Sequence, residues 1–425
     1  MDVTIKHTNH LEGVVLAPPS KAYTHRMLIA SSLSNGTSKI YNPLISDDTI
    51  ATLEAVKALG AEIEQQQNCW TVHGQETPKT PKRPINCRES GSTLRFMIPV
   101  AGLAPKASTF LFATSFEHRP IFPLLKSLKE LGVESIVQAD DSSVIIQGGG
   151  ISGGKTSIRG DISSQFISGL LFACPKAKED TEISVTTPIE SRSYIEMTLE
   201  VLVDREIEGS ISPDLSRLWV PSNQSFIPCD STVPGDFSSA AFLLAAAAVT
   251  SSKITVKGLD QKTSQGDRAI IQILQEMGAF IDIKKDFVEI EGGKLFGVDI
   301  DATDIPDLVP ICAVLACFAN EPSEIYNAAR LRYKESNRLE SISSELRKMG
   351  ADILVTEDGL KINGGCSLHG AKIDPHNDHR IAMSCSVAAL GANGETKIQD
   401  VECINKSYPQ FFSDLQALGA NVVGI

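Results

Sequence analysis

The stretch Ala329–Val355, ARLRYKESNRLESISSELRKMGADILV, decides how this chain is read. It opens with a cluster of charge at Arg330, Arg332, Lys334, Glu335 and Arg338. Leu339, Ile342, Leu346 and Met349 then recur at three- and four-residue steps, the period of a helix with one apolar face. Gly350 stands where a left-handed cap stops such a helix, and Asp352–Val355 has the composition of a strand entered directly afterwards. The same order returns in SDDTIATLEAVKALGAEIE from Ser46, EHRPIFPLLKSLKELGVESI from Glu117, SQGDRAIIQILQEMGAFIDI from Ser264 and NKSYPQFFSDLQALGANVV from Asn405. A weaker copy, ESRSYIEMTLEVLVDREIEGSI from Glu190, lacks the glycine stop and is about two residues shorter. Copies at a spacing of roughly 70 residues define an internal repeat of one structural unit.

A second series interleaves with the first. Arg26–Ser32, Ser92–Leu103, Ser164–Cys174, Ser238–Val249, Asp307–Ala319 and His379–Leu390 are short helix candidates, apolar nearly all round. Helices of that kind belong inside a domain, whereas the amphipathic series belongs on its outside. Runs such as EISVTTP and KITVKGL alternate with period two and carry β-branched residues, as half-buried strands do. Short strands are expected at Ser157–Arg159, Lys253–Val256 and Thr396–Ile398. The expected class is α/β (α+β), built from six repeated units.

Composition bounds the function. At 425 residues the chain has room for two or three domains with substantial cores. A formal net charge of −13 argues against a broad nucleic-acid or anionic-membrane surface, yet leaves room for a small basic pocket. Only two Trp and six Tyr are available as stacking platforms for bases. The nine cysteines are scattered, without a CxxC pair or a Cys/His cluster, so neither a disulfide framework nor a structural zinc is expected. No metal or cofactor is indicated: HExxH and GxSxG are missing, and GGGISGG (148–154) lies between two strand candidates, where it reads as a tight turn. MDVTIKHTNHLEG has no apolar signal segment and the longest apolar run, Ala240–Val249, is too short to span a bilayer, so a reduced cytoplasm is the expected location.

The polar exceptions gather where the buried helices begin. Lys21 and Arg26 precede the first, Gly91 and Arg95 open the second, and Ser163, Ser164 and Gln165 open the third. Asp236, Ser238 and Ser239 open the fourth, Asp307 the fifth, and Asn377, Asp378, His379 and Arg380 the sixth. Helix N-termini present unpaired N–H groups and a positive dipole end, so several converging would form an anion site. Ser, Asp and Gly at helix starts are also ordinary caps. A cation there opposes the dipole and needs another reason, which an anionic ligand supplies.

PPSKAYTHR (18–26), ESGSTLR (89–95), HRP (118–120), SSQF (163–166), GDFSSA (235–240), IPD (305–307), KESNR (334–338), NDHR (377–380) and NKSYPQFF (405–412) follow one another along the chain. In that order, on a six-fold repeat, the series resembles the 5-enolpyruvylshikimate-3-phosphate (EPSP) synthase family over essentially the whole length. The resemblance implies two globular domains of three βαβαββ units each, the inside-out α/β barrel of that family, joined by a double crossover. One domain would comprise 1–18 with 235–425 and the other 19–234, with crossings near Pro18–Pro19 and Val233–Gly235 and the active site in the cleft between them. A monomer is expected, since each domain would bury its own helices.

The implied reaction moves the enolpyruvyl group of phosphoenolpyruvate to the 5-hydroxyl of shikimate 3-phosphate and releases phosphate. By the resemblance, Asp307 takes the proton of the 5-hydroxyl and Glu335 delivers and later removes the proton at the methyl carbon. Lys21 neutralises the leaving phosphate, and His379 assists. Lys21, Gly91, Arg119, Gln165, Arg338, Arg380 and Lys406 would hold phosphoenolpyruvate. Ala22, Arg26, Ser163, Ser164, Gln165, Ser191, Tyr194, Asp307, Arg330 and Lys334 would face shikimate 3-phosphate. Taken singly, Glu335 reads as a first-turn carboxylate, Lys334 and Arg338 as a solvated helix face, Asp307 as a cap and His379 as a core histidine; their joint placement carries the functional reading. Departures from the family pattern are Ala22 in place of serine, Pro19 in place of glycine, Glu89–Ser90 in place of Asn-Ala, and Arg330 in place of asparagine. Two rivals are weighed. The sister transferase acting on UDP-N-acetylglucosamine carries a loop cysteine that TSFEHRP lacks. A non-catalytic repeat scaffold would have no need of Asp307, Glu335 and Lys21 together.

Overall fold

The structure, a computed structural model, describes residues 1–113, 116, 120–138 and 142–424. Twelve α-helices are present among the described residues: α1 Lys21–Ser32, α2 Asp47–Ala58, α3 Gly91–Gly102, α4 Phe122–Glu130, α5 Ser164–Ala173, α6 Arg192–Val203, α7 Phe237–Val249, α8 Ile270–Glu276, α9 Val309–Phe318, α10 Arg338–Lys348, α11 His379–Gly391 and α12 Phe411–Ala417. The odd-numbered helices are the apolar series and are buried on almost every side; in α7 every residue from Phe237 to Ala248 is buried. The even-numbered helices are the amphipathic series. In α10 and its cap, Leu339, Ile342, Leu346 and Met349 are fully buried, each stabilising by up to about 1.5–3 kcal/mol relative to exposure.

Two compact units result, Met1–Pro18 with Pro234–Ile425, and Pro19–Val233. Each holds three four-stranded sheets and a hydrophobic core of its own. One pairing scheme is repeated six times. In the repeat that contains α10, Ile300–Asp301 runs parallel to Ser323–Tyr326, which pairs antiparallel with Leu360–Asn363, which pairs antiparallel with Asp352–Val355. A buried helix connects the parallel strands and an amphipathic helix leads into the hairpin, giving a βαβαββ unit. The chain therefore has the α/β class and the six repeats expected of it.

At the crossovers the scheme is shared between units. Glu12–Leu16 pairs in parallel with Lys253–Lys257, yet leads into α1. Ser231–Thr232 pairs in parallel with Thr37–Tyr41, yet leads into α7. Val3–Lys6 completes the sheet of Glu395–Ile398 and Val422–Val423.

The glycine stops work as their sequence position predicts. Gly350 (φ 95) donates to Arg347 O at 3.0 Å and Ala351 donates to Leu346 O at 3.0 Å, a Schellman cap. Equivalent bonds close α2, α4, α8 and α12 at Gly60, Gly132, Gly278 and Gly419. The sixth copy keeps the cap without the glycine. Glu206 adopts φ 56 and donates to Val203 O at 3.0 Å, and Ile207 donates to Leu202 O at 3.0 Å. The geometry is imposed by the Ile207 side chain entering the core, with the exposed glutamate absorbing the strain.

Boundaries differ from the expected ones at polar starts. The first buried helix begins at Lys21, not Arg26, and the fifth at Val309, so Asp307 precedes it. The strand expected at Ser157–Arg159 runs Gly154–Ile158. No described helix is long and apolar enough to cross a membrane.

Gly350→Ala should lower the stability of its unit by about 1–2 kcal/mol, because alanine resists the left-handed backbone. Glu206→Gly should raise stability by up to about 1 kcal/mol. Chemical denaturation of each variant beside the parent checks both signs.

Candidate active site

In the unit that contains the C-terminal half, the site is organised by Arg338, the first residue of α10 and only 2 % exposed. Its Nε donates to Asp378 Oδ2 at 2.8 Å, Nη1 to Asp307 Oδ1 at 2.8 Å, and Nη2 to Glu335 Oε2 at 2.6 Å. Burial opposes the charged guanidinium, but Asp378, Glu335 and Asp307 outweigh it and push its pKa well above the ordinary value. Asp378 is the N-cap of α11, and its Oδ1 accepts the Arg380 N–H at 2.9 Å. Arg380 in turn donates through Nη2 to Asp307 Oδ2 at 2.9 Å and through Nη1 to Asp307 O at 3.2 Å. His379 Nδ1 lies 3.2 Å from Glu335 Oε2. The starts of α9, α10 and α11 thus meet through one ionic network.

More cations surround it. Lys334 Nζ is 4.0 Å from Asp307 Oδ1. Burial pushes the Lys334 ammonium down to about 8, with Asp307 opposing that shift. Lys406 Nζ donates to Asn377 O at 2.6 Å. Arg330 is turned to the backbone, donating through Nη2 to Ala302 O at 3.2 Å and Thr303 O at 2.5 Å. Behind Asp307 and Arg380, Asp267 is buried and accepts a hydrogen bond from Ser238 in the first turn of α7. Burial, followed by the charge of Asp307, raises the Asp267 carboxyl to about 7. Glu335, Asp378 and His379 bring ligand atoms within 4.8 Å of one another, as a cation site would need. Arg338 already stands between the two carboxylates.

The other unit assembles a second group of helix starts. Lys21, the first residue of α1, forms an ion pair of 2.8 Å with Asp48 in the first turn of α2. Thr93 in α3 donates to Asp48 O at 3.3 Å, and Ser90 caps α3 just before Gly91. His25 joins the same three helices through Thr52 at 2.7 Å, and burial drives its imidazole down to about 3. Ser163 caps α5, which begins at Ser164. Gln165 accepts from Arg95 Nη1 at 2.8 Å and donates to Ser92 Oγ at 2.9 Å, linking α5 to α3. Ser191 precedes α6 with φ 60, and Tyr194 lies in its first turn.

Two expected residues sit differently. Arg26 lies one turn inside α1, where Nε donates to Thr198 Oγ1 at 2.8 Å, Nη1 to Ala22 O at 3.0 Å and Nη2 to Tyr194 O at 2.8 Å. Burial lowers its pKa to about 10. Ala22 supplies a carbonyl to that arginine. Arg119 lies outside the described residues. Asp48, Asp267 and Asp378 are the partners that sequence reasoning left unassigned to the site. Their one signal is position, an acid at or beside a helix start.

Solved structures share this architecture. An EPSP synthase from Acinetobacter baumannii matches with a TM-score of 0.84 at 25% identity, over 99% of this chain and 99% of that one. The enolpyruvyl transferase NikO from Streptomyces tendae matches in fold with a TM-score of 0.80 at 18% identity, over 99% of this chain and 98% of that one. The fold is that of the enolpyruvyl transferases. In sequence, the profile of EPSP synthase (3-phosphoshikimate 1-carboxyvinyltransferase) matches residues 5–415. A 3-phosphoshikimate 1-carboxyvinyltransferase from Methanocaldococcus jannaschii is 45% identical over 424 residues, covering 98% of each chain. One from Methanocella arvoryzae is 44% identical over 414 residues, 96% of this chain and 97% of that one. The chain belongs to the EPSP synthase family.

Asp378→Ala removes the one fully buried carboxylate of the network and leaves Arg338 short of a partner. Its unit should lose about 1–3 kcal/mol of stability, since the buried Nε–H of Arg338 is left without an acceptor while Asp307 and Glu335 still balance its charge. Denaturant unfolding of the variant beside the parent measures that loss.

Proposed function

We propose that this protein transfers the enolpyruvyl group of phosphoenolpyruvate to the 5-hydroxyl of shikimate 3-phosphate, giving 5-enolpyruvylshikimate 3-phosphate and phosphate. The observation that carries the reading is the network of Asp307, Glu335 and Asp378 with Arg338, Arg380, Lys334 and Lys406. It joins carboxylates able to move protons to a surplus of cations able to hold phosphate and carboxylate. Membership of the EPSP synthase family supports this acceptor over UDP-N-acetylglucosamine.

The chemistry requires a proton to reach C3 of phosphoenolpyruvate while the acceptor hydroxyl loses one and attacks C2. Loss of phosphate from the tetrahedral intermediate, with removal of a methyl proton, then restores the enol double bond. We assign Asp307 to the hydroxyl proton and Glu335 to the methyl carbon. His379, 3.2 Å from Glu335, fixes that carboxylate and assists its proton exchange. Lys21 neutralises the departing phosphate. Arg338, Arg380 and Lys406, with Lys21, Gly91, Arg119 and Gln165, bind phosphoenolpyruvate. A guanidinium has five N–H bonds, and four of those of Arg338 are given to carboxylate oxygens. Arg26, Ser163, Ser164, Gln165, Ser191, Tyr194, Arg330 and Lys334 serve shikimate 3-phosphate; Ala22 offers no hydroxyl and contributes its backbone.

Purified protein should release phosphate from phosphoenolpyruvate with shikimate 3-phosphate and not with UDP-N-acetylglucosamine. Release with the nucleotide sugar alone would reverse the acceptor assignment. Asp307→Ala and Glu335→Ala should fold and bind substrates while kcat falls by about 10²–10⁴. Full turnover in either would remove its role.

Lys334 adds a pH test. Its folded pKa lies below that of free lysine, so the ammonium is lost as pH rises through about 8 rather than above about 10. Affinity for shikimate 3-phosphate should therefore weaken from pH 8 upward in the parent. In Lys334→Arg, which keeps its charge, the decline should move to higher pH. KM for shikimate 3-phosphate across pH 7–10 checks it.

A further inference from the structure

Glu345 lies on α10, is 1 % exposed, and takes no part in the network around Arg338. A buried carboxylate needs partners, and two of the four partners of Glu345 come from one short turn. Its Oε2 accepts the backbone N–H of Asp374 at 3.0 Å. Its Oε1 meets His376 Nε2 at 2.9 Å. Lys348, one turn further along α10, supplies the balancing charge at 2.7 Å, and Ser344 Oγ donates at 3.2 Å.

The turn so held is Asp374–Asp378, and it is strained. His376 and Asn377 occupy the left-handed region in succession, both with φ 53. Such a pair persists only where its surroundings dictate it. Within the turn, Asp374 accepts the His376 N–H at 2.8 Å and Pro375 O accepts the Asp378 N–H at 2.9 Å. Glu345 fixes the outer half of the turn from the side of α10.

The two groups that leave this turn are those that hold site cations. Asn377 O accepts Lys406 Nζ at 2.6 Å, and Asp378 Oδ2 accepts Arg338 Nε at 2.8 Å. A shift of the turn moves both acceptors together, and with them an ammonium and a guanidinium.

We propose that Glu345 is a positioning residue for phosphoenolpyruvate, clamping the strained Asp374–Asp378 turn so that Lys406 and Arg338 are aimed at the substrate. The proposal rests on the assignment of those two cations made above. Glu345 is buried and bonded to the turn and to its own helix, so its removal should act through the turn and weaken the binding of one substrate selectively.

The experiment compares Glu345→Ala, Glu345→Gln and the parent in steady-state kinetics, with thermal unfolding alongside. In Glu345→Ala, KM for phosphoenolpyruvate should rise about tenfold, as misplaced binding groups cause, while kcat and KM for shikimate 3-phosphate stay within about threefold. Glu345→Gln retains an oxygen for the Asp374 N–H and should stay within about threefold of the parent. A phosphoenolpyruvate KM unchanged in Glu345→Ala overturns the proposal. So does a parallel change in all three constants with a lowered Tm, the mark of a merely structural role. If Glu345→Ala does not fold, His376→Ala decides: a rise of about threefold in the phosphoenolpyruvate KM alone supports the clamp, and no rise overturns it. A parent protein without turnover sinks the assigned reaction instead. Calorimetric titration with phosphoenolpyruvate then judges the clamp by itself. Binding about tenfold weaker in Glu345→Ala than in the parent supports it, whereas equal binding, or none in the parent, overturns it.

Discussion

A guanidinium with almost no exposure to water is the constraint on which the candidate site depends. Desolvating an ion of that size costs several kcal/mol, and Arg338 is 2 % exposed. Asp307, Glu335 and Asp378 offset that cost by approaching it from three directions. They arrive from the loop before α9, the loop before α10 and the cap of α11. The arginine is therefore a packing element as much as a charge. It sets the distance between helix starts that would otherwise repel one another through their like dipole ends.

The repeat explains why such a site lies in an acidic chain. Each βαβαββ unit directs the start of a buried helix the same way within its sheet, so three units direct three starts toward a common region. Every repeat thus contributes unpaired N–H groups and a place for one cation or cap. The net charge of −13 is a sum over the whole chain and does not oppose a local basic group. Basic side chains are needed only where those starts gather.

The alternation of buried and amphipathic helices was legible in the sequence, because all-round apolarity and one-faced periodicity are local properties. Helix starts were less so. Tyr23, Thr24 and His25 are polar enough to resemble a loop, yet all are buried in α1, and Thr24 and His25 find hydrogen-bond partners on neighbouring segments. The cap at Glu206 had no signal, since a glutamate in left-handed geometry is held there by the burial of its neighbour Ile207, a tertiary contact. Within the site, the residue types were legible from motif order, but their pairing was not. That Lys21 meets Asp48, or that Arg338 takes Asp378, is decided by tertiary approach across 27 and 40 residues of sequence. Arg26 is a cation whose motif gives no sign of its anchoring, and its bonds to Thr198 and Tyr194 become visible only once α6 is beside α1.

The strand sharing at the crossovers bears on the order in which the polypeptide can mature on the ribosome. Pro19–Val233 holds every strand of its three sheets within one continuous stretch. It can close its core as soon as Ser231–Thr232 has emerged to lie beside Thr37–Tyr41. The other unit has no such moment until late. Val3–Lys6, made long before, must wait for Glu395–Ile398 and Val422–Val423, keeping an unpaired strand in solution throughout elongation. Thr4 and Lys6 on that strand, alternating with the core residues Val3 and Ile5, keep half of it polar during the wait.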